Sequence, residues 1–195
     1  MNRTGEYSRK TNETEIEVSI NLDGSGSAEV ETGIGFFDHM LINFARHGLF
    51  DLKVKVKGDL YVDCHHTIED TGIALGVALR KALGDKKSIK RYGSVILPMD
   101  ESLVLCALDL SGRPYLVFNA EFTTDRVGYM DTEMVKEFFH AVAYTCGMNL
   151  HIKMLESGNN HHMIEGIFKA FSKALDQATI IDERITDVLS TKGSL

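Results

Sequence analysis

His65-His66-Thr67-Ile68-Glu69 and His161-His162-Met163-Ile164-Glu165 are two copies of one pattern, and the fold follows from there being two. Adjacent imidazoles with a carboxylate three and four positions on lie within about one helical turn, a metal-ligand spacing. Each copy leads into an apolar stripe at helical period: Ile68, Gly72, Leu75, Leu79 and Ala82 after the first, Ile164, Ile167, Phe168, Phe171 and Leu175 after the second. Each is also preceded by a helical pattern with a Phe-Phe pair and one more histidine, Gly35-Phe36-Phe37-Asp38-His39 and Glu137-Phe138-Phe139-His140. Leu22-Asp23-Gly24-Ser25-Gly26 answers loosely to Leu108-Asp109-Leu110-Ser111-Gly112. The 195 residues therefore read as a duplicated half-domain, with repeats over about 1–90 and 91–195 that meet in the basic stretch Asp85 to Gly93.

Between the motifs the pattern changes to period two. Thr14, Ile16, Val18 and Ile20 alternate with Glu15, Glu17 and Ser19, and Leu52, Val54 and Val56 alternate with lysines, as half-buried strands do. Further strands are expected over Leu103 to Asp109, Tyr115 to Asn119 and Leu150 to Met154. The helix through Phe37, Met40, Leu41 and Phe44 should close at Gly48, and the one through Val135, Phe138, Phe139 and Val142 at Gly147. With few prolines and no long polar linker, the two halves are expected to pack as one α+β unit.

Composition narrows the class. A hydrophobic fraction of 44% supports a sizeable core, and no apolar run approaches the roughly 20 residues that span a bilayer. The polar start Met1–Glu6 lacks the apolar segment of a secretion signal, and Cys64, Cys106 and Cys146 are odd in number and far apart, so a cytoplasmic protein with reduced thiols is expected. A net charge of −7 leaves no basic face for nucleic acid. Lys86, Lys87 and Lys90 read as solvated surface.

The repeated histidines read as ligands because one constellation occurs twice; His47 and His151, each alone, read as structural. Successive helical residues project about 100° apart and positions i and i+4 about 40° apart, so His65 naturally joins Glu69 while His66 points elsewhere. Neighbouring histidines should thus serve different metals. The angles leave the pairing open, since Glu69 is also within about 60° of His66. Eight ligands over two sites, three His and one Glu each, leave octahedral positions for water or substrate.

Asp38-His39, Asp63-Cys64-His65-His66-Thr67-Ile68-Glu69-Asp70, His161-His162-Met163-Ile164-Glu165, Ser111-Gly112-Arg113-Pro114 and Ser190-Thr191-Lys192-Gly193 together resemble the imidazoleglycerol-phosphate dehydratase family of histidine biosynthesis, from Arg9 to Leu195. Leu189 stands where the family usually has proline, which bears on the rigidity of the C-terminal tail. The resemblance implies a ribosomal protein S5 domain 2-like fold, with two similar four-stranded sheets each carrying two helices. It also implies a homo-oligomer of twenty-four chains with active sites between subunits, in a monofunctional form. Two Mn²⁺ ions per active site are implied, one held by His39, His66, His161 and Glu165 and the other by His65, Glu69, His140 and His162.

The implied reaction is dehydration of D-erythro-imidazoleglycerol phosphate to imidazole acetol phosphate. The substrate's imidazolate bridges two metals, which act as Lewis acids and template, and Glu13 moves the proton. Only the resemblance separates Glu13 from Glu15 and Glu17; it should precede the first strand, outside both metal shells. Arg91, Arg113, Ser190 and Lys192 match the phosphate-binding positions. Two rival readings are a metal store without turnover and a metal-dependent phosphate-ester hydrolase, whose product would be inorganic phosphate.

Overall fold

The computed structural model describes residues 3–195; Met1 and Asn2, the start of the polar N-terminal stretch, lie outside the described residues. The first half runs β1 (Thr4–Lys10), β2 (Thr14–Asn21), β3 (Ala28–Glu31), α1 (Gly35–Gly48), β4 (Asp51–Gly58) and α2 (His65–Leu83). The second runs β5 (Tyr92–Met99), β6 (Ser102–Asp109), β7 (Tyr115–Asn119), β8 (Arg126–Val127), β9 (Met130–Asp131), α3 (Met134–Cys146), β10 (Asn149–Glu156) and α4 (Asn160–Thr179). Two four-stranded sheets result, ordered β1-β2-β4-β3 and β5-β6-β10-β7. The orders correspond strand for strand, as the repeated motifs led us to expect. The β8–β9 ribbon has no partner in the first half among the described residues.

Register follows from burying one face. Across β2 and β4, Ile16 faces Val56, Val18 faces Val54 and Ile20 faces Leu52, all buried. Across β6 and β10, Cys106 faces Ile152 and Leu108 faces Leu150. A slip of one residue would turn either set to solvent. Helices α1 and α2 cover the first sheet, and α3 and α4 cover the second. The helix layers then meet, α2 against α3 and α1 against α4, a swap of partners that a twofold between the halves produces. Phe37 and Phe138 meet edge-on across this seam, and Phe44 stacks on Phe171.

Two glycines set the distance between motif helix and edge strand. A Cβ on Gly5 of β1 would lie 1.9 Å from the carbonyl oxygen of Ala78, and one on Gly93 of β5 would lie 1.8 Å from that of Ala174. Ala78 and Ala174 stand at the same position relative to their His-His pairs. The duplication thus extends to a close approach that no periodicity reveals. Asp70 adds a further tie for α2: it is buried, accepts from the Thr14 hydroxyl at 2.5 Å and meets Arg9 at 3.2 Å.

Three expectations need correction. The left-handed residue ending α1 is Leu49, φ 59°, and Gly48 remains helical; a Cβ on Gly48 would fall 2.3 Å from Cε2 of Phe50, so this glycine makes room for a ring folding back. Gly147 does close α3 in the left-handed region. Glu13 does not precede the first strand, because β1 comes before it and Glu13 sits in the β1–β2 turn. Lys86 is no solvated charge: it is buried, donates to the Leu110 carbonyl at 3.0 Å, and burial lowers its pKa.

Candidate metal centre

A side-chain oxygen caps the first turn of each motif helix, from the N-cap residue Asn159 in α4 and from Asp63, one residue before the N-cap Cys64, in α2. Asp63 Oδ1 accepts the His65 backbone N–H at 2.7 Å, and Asn159 Oδ1 accepts that of His161 at 2.9 Å. Each cap satisfies an orphan donor of the first turn. The pairs thereby sit in the first turns of α2 and α4.

From α1, His39 reaches the start of α4. Its Nε2 lies 3.4 Å from Glu165 Oε2, and His161 Nε2 lies 3.2 Å from the same oxygen. These three ligand atoms lie within 4.8 Å of one another. Phe36 packs edge-on against the His161 ring, and Asn43 bonds the His39 carbonyl and approaches its Nε2. Glu165 is only 7% exposed, so its charge needs a partner. Lys169 supplies one, with Nζ 2.5 Å from Oε1. Burial pushes the Glu165 carboxyl up, but Lys169 and the two imidazoles outweigh it and the net shift is downward. Oε2 is left facing two imidazole nitrogens, a donor set of the kind that suits a divalent transition ion.

The remaining candidates stand elsewhere in the chain. His65 Nε2 lies 3.6 Å from Glu69, one turn on. His66 turns its Nδ1 to Asp59, whose hydrogen bond raises the imidazole pKa, and its Nε2 lies 3.8 Å from Glu13. His162 turns its Nδ1 to Glu101 at 3.1 Å, with Asp100 at 3.8 Å. The Asn159 backbone N–H, Glu101's own N–H and His162 draw the Glu101 carboxyl down to about 2. His140 is exposed on α3, its ring centroid 4.2 Å from that of Tyr144. One chain therefore assembles His39, His161 and Glu165, leaves His65 with Glu69, and keeps His66, His140 and His162 apart from both. Glu101 meets His162 across 61 positions, a contact that leaves no local pattern. Lys169 stands at i+4 from Glu165 on α4, a spacing the sequence did offer and the histidine pattern overshadowed. Asp59, seven positions before His66, is brought to it by the β4–α2 connection.

The four anion-binding candidates fall on one side of the second half. Arg91 is buried and committed: its guanidinium grips Asp109 at 2.7 and 3.0 Å, donates to the Leu189 carbonyl at 2.6 Å and lies over the Tyr92 ring. The bond to Leu189 ties the tail to the start of β5. Arg113 is exposed, 4.0 Å from the same Asp109. Ser190 Oγ accepts from the Lys192 backbone N–H at 3.2 Å, and the tail returns to Gly112, where a Cβ would lie 3.0 Å from Leu195. Arg113, Ser190 and Lys192 are thus carried by two neighbouring segments.

A concavity of about 970 Å³ on the first sheet, lined by Glu6, Glu17, Glu29, Lys53 and Lys55 among others, contains no histidine. Burial pushes the Cys146 thiol up to about 12 and raises those of Cys106 and Cys64, so these thiols are inert packing groups.

The family model described as imidazoleglycerol-phosphate dehydratase matches residues 32–175, which includes both His-His-x-x-Glu segments. The chain belongs to the imidazoleglycerol-phosphate dehydratase family. Relatives of that name from Lachnoclostridium phytofermentans and Acetivibrio thermocellus are 65% and 63% identical to it, each over the whole of both chains. The crystal structure of the Staphylococcus aureus member is 41% identical, covering 92% of this chain and 99% of that one, with a TM-score of 0.83. A Pyrococcus furiosus structure, solved in complex with (S)-C348, is 36% identical over 97% of this chain and 100% of that one, also at 0.83. Membership places the chain in a metal-dependent family of hydro-lyases. No described helix is long and apolar enough to cross a membrane.

Proposed function

We propose that the chain, working as one unit of two repeats over about 1–90 and 91–195, dehydrates D-erythro-imidazoleglycerol phosphate to imidazole acetol phosphate in cytoplasmic histidine biosynthesis. The observation that carries this reading is the convergence of His39, His161 and Glu165 from α1 and α4, within a chain related over its full length to dehydratases of that name. Imidazole and carboxylate donors with one free oxygen on Glu165 fit a manganese-like ion. His39, His66, His161 and Glu165 would hold one Mn²⁺ and His65, Glu69, His140 and His162 another. When bound, two such ions would supply Lewis acidity at the substrate's imidazole ring.

Neither set of four comes together in one chain, so each would be completed by residues of a neighbouring copy, and the working form is a homo-oligomer, twenty-four chains by resemblance. Exposed Leu60, Tyr61 and Val62 precede the first motif, and exposed Tyr129 lies in the β8–β9 ribbon. Such apolar side chains suit burial between copies.

The chain's own groups do the rest. Glu13 sits half exposed in the β1–β2 turn beside His66 and belongs to neither ligand set. It takes and returns the proton at the substrate's carbon chain. Arg113, Ser190 and Lys192 bind the phosphate, and Arg91 shapes that site by holding the tail.

Turnover of imidazoleglycerol phosphate with formation of imidazole acetol phosphate tests the reading; release of inorganic phosphate would replace it with ester hydrolysis. Glu13→Gln keeps the size and removes the base, so kcat should fall on the order of 10² to 10⁴-fold while metal content and assembly survive. Near-normal turnover would remove Glu13 from proton transfer, and loss of metal would move it into a metal shell.

A further inference from the structure

The second histidine of each motif meets a carboxylate through Nδ1, but the two carboxylates come from places that do not correspond. Asp59 approaches His66 Nδ1 at 3.1 and 3.2 Å, and Glu101 approaches His162 Nδ1 at 3.1 and 3.2 Å. An ionised carboxylate only accepts, so each contact keeps the proton on Nδ1 and leaves the Nε2 lone pair facing away.

Glu101 belongs to the turn between β5 and β6, whose counterpart in the first half, between β1 and β2, carries Glu13. Asp59 belongs to the β4–α2 connection, residues 59–64. Its counterpart between β10 and α4, residues 157–159, is shorter and holds no acid. Geometry explains the substitution of one for the other. The short connection closes directly over Glu101, where a Cβ on Gly158 would fall 2.2 Å from Cγ and the Asn159 backbone N–H donates to Oε1 at 2.6 Å. The longer connection loops out, with the Asp59 carbonyl accepting from Val62 N–H at 2.8 Å, and brings its own acid to the ring.

We propose that Asp59 and Glu101 are positioning residues that hold His66 and His162 as Nε2 donors towards a divalent ion. The idea rests on the metal-dependent reading above and deepens it. A carboxylate bonded to the far ring nitrogen of a ligand histidine fixes its tautomer and ring orientation, and its loss costs about 10–100-fold in metal affinity.

The test uses the full chain with nitrogen-15 histidine, first stripped of metal and then titrated with Mn²⁺. Without metal, His66 and His162 should appear as Nδ1–H tautomers. Asp59→Ala should abolish that state at His66 alone, and Glu101→Ala at His162 alone. Each should weaken Mn²⁺ binding about 10–100-fold with the fold retained by circular dichroism. Asp59→Asn and Glu101→Gln keep an acceptor oxygen and should recover part of the affinity. Glu101→Gln also keeps a partner for the Asn159 N–H, so it carries the test if Glu101→Ala does not fold. Wild-type tautomers in the alanine variants, or unchanged Mn²⁺ affinity, would overturn the proposal. Wild-type protein that binds no Mn²⁺ yet shows both tautomers would sink the metal reading and leave the orientation of the rings standing.

Discussion

Replacing Gly93 with alanine tests the claim that the motif helices lie against their edge strands at a distance only glycine permits. The new Cβ would start 1.8 Å from the Ala174 carbonyl oxygen, with the Ala174 carbonyl carbon at 2.7 Å and Cα at 3.2 Å. All three are backbone or Cα atoms, so no rotamer change relieves the clash. Helix α4 and strand β5 would have to part by roughly 1.5 Å to restore van der Waals contact, and buried Phe168, Phe171 and Leu175 ride on that helix. Overpacking of this kind costs about 1–3 kcal/mol, and a backbone clash belongs at the upper end. Gly5→Ala should behave alike, since its Cβ would start 1.9 Å from Ala78 O. Gly35→Ala is the control: a Cβ there meets nothing within 4 Å, at the exposed first residue of α1, and should be neutral or stabilising by up to ~1 kcal/mol. Urea unfolding of metal-free protein at fixed concentration, followed by far-UV circular dichroism, reads all three. If Gly93→Ala unfolds within about 0.5 kcal/mol of the parent, the edge strand is not seated as described.

Ligands drawn from several elements, and in our reading from several copies, couple metal binding to assembly. Chelation should give smaller, inactive oligomers that Mn²⁺ restores, and metal-free protein eluting at full size in gel filtration would contradict that. Lys192→Ala should raise KM clearly through loss of a charged contact worth roughly 1.5–3 kcal/mol, with metal content unchanged; an unaltered KM would return Lys192 to the ordinary surface. Glu165→Gln removes a ligand and should lower metal occupancy and turnover together, in contrast to Glu13→Gln.

What could be read from the sequence was whatever repeats at a fixed interval. The four helices and strands β2, β4, β6 and β10 each carry an apolar face at period 3.6 or 2, and β7 is a short continuous apolar run. The two halves announced themselves through the repeated His-His-x-x-Glu pattern. Strands β1 and β5 run along sheet edges and β3 is short and half exposed, so their alternation is weak and only the ladder shows them. Missing β1 is what misplaced Glu13. Lys86 looked like a surface charge and Arg91 like a free phosphate donor because the groups that engage them, the Leu110 carbonyl and Asp109, approach only once the second sheet has formed.

The twofold seam between the halves has a consequence for how such a centre can change. In two separate, identical half-chains every residue would appear twice in equivalent surroundings, and a turn carboxylate committed to a histidine on one side would be committed on the other. Joined in one polypeptide, the copies are free to diverge. With a β4–α2 connection twice as long as the β10–α4 one, the first half approaches its histidine from a different direction than the second half does. A symmetric scaffold thus holds two unlike turns, one fastened beneath a helix through Glu101 and the other leaving Glu13 half exposed beside His66.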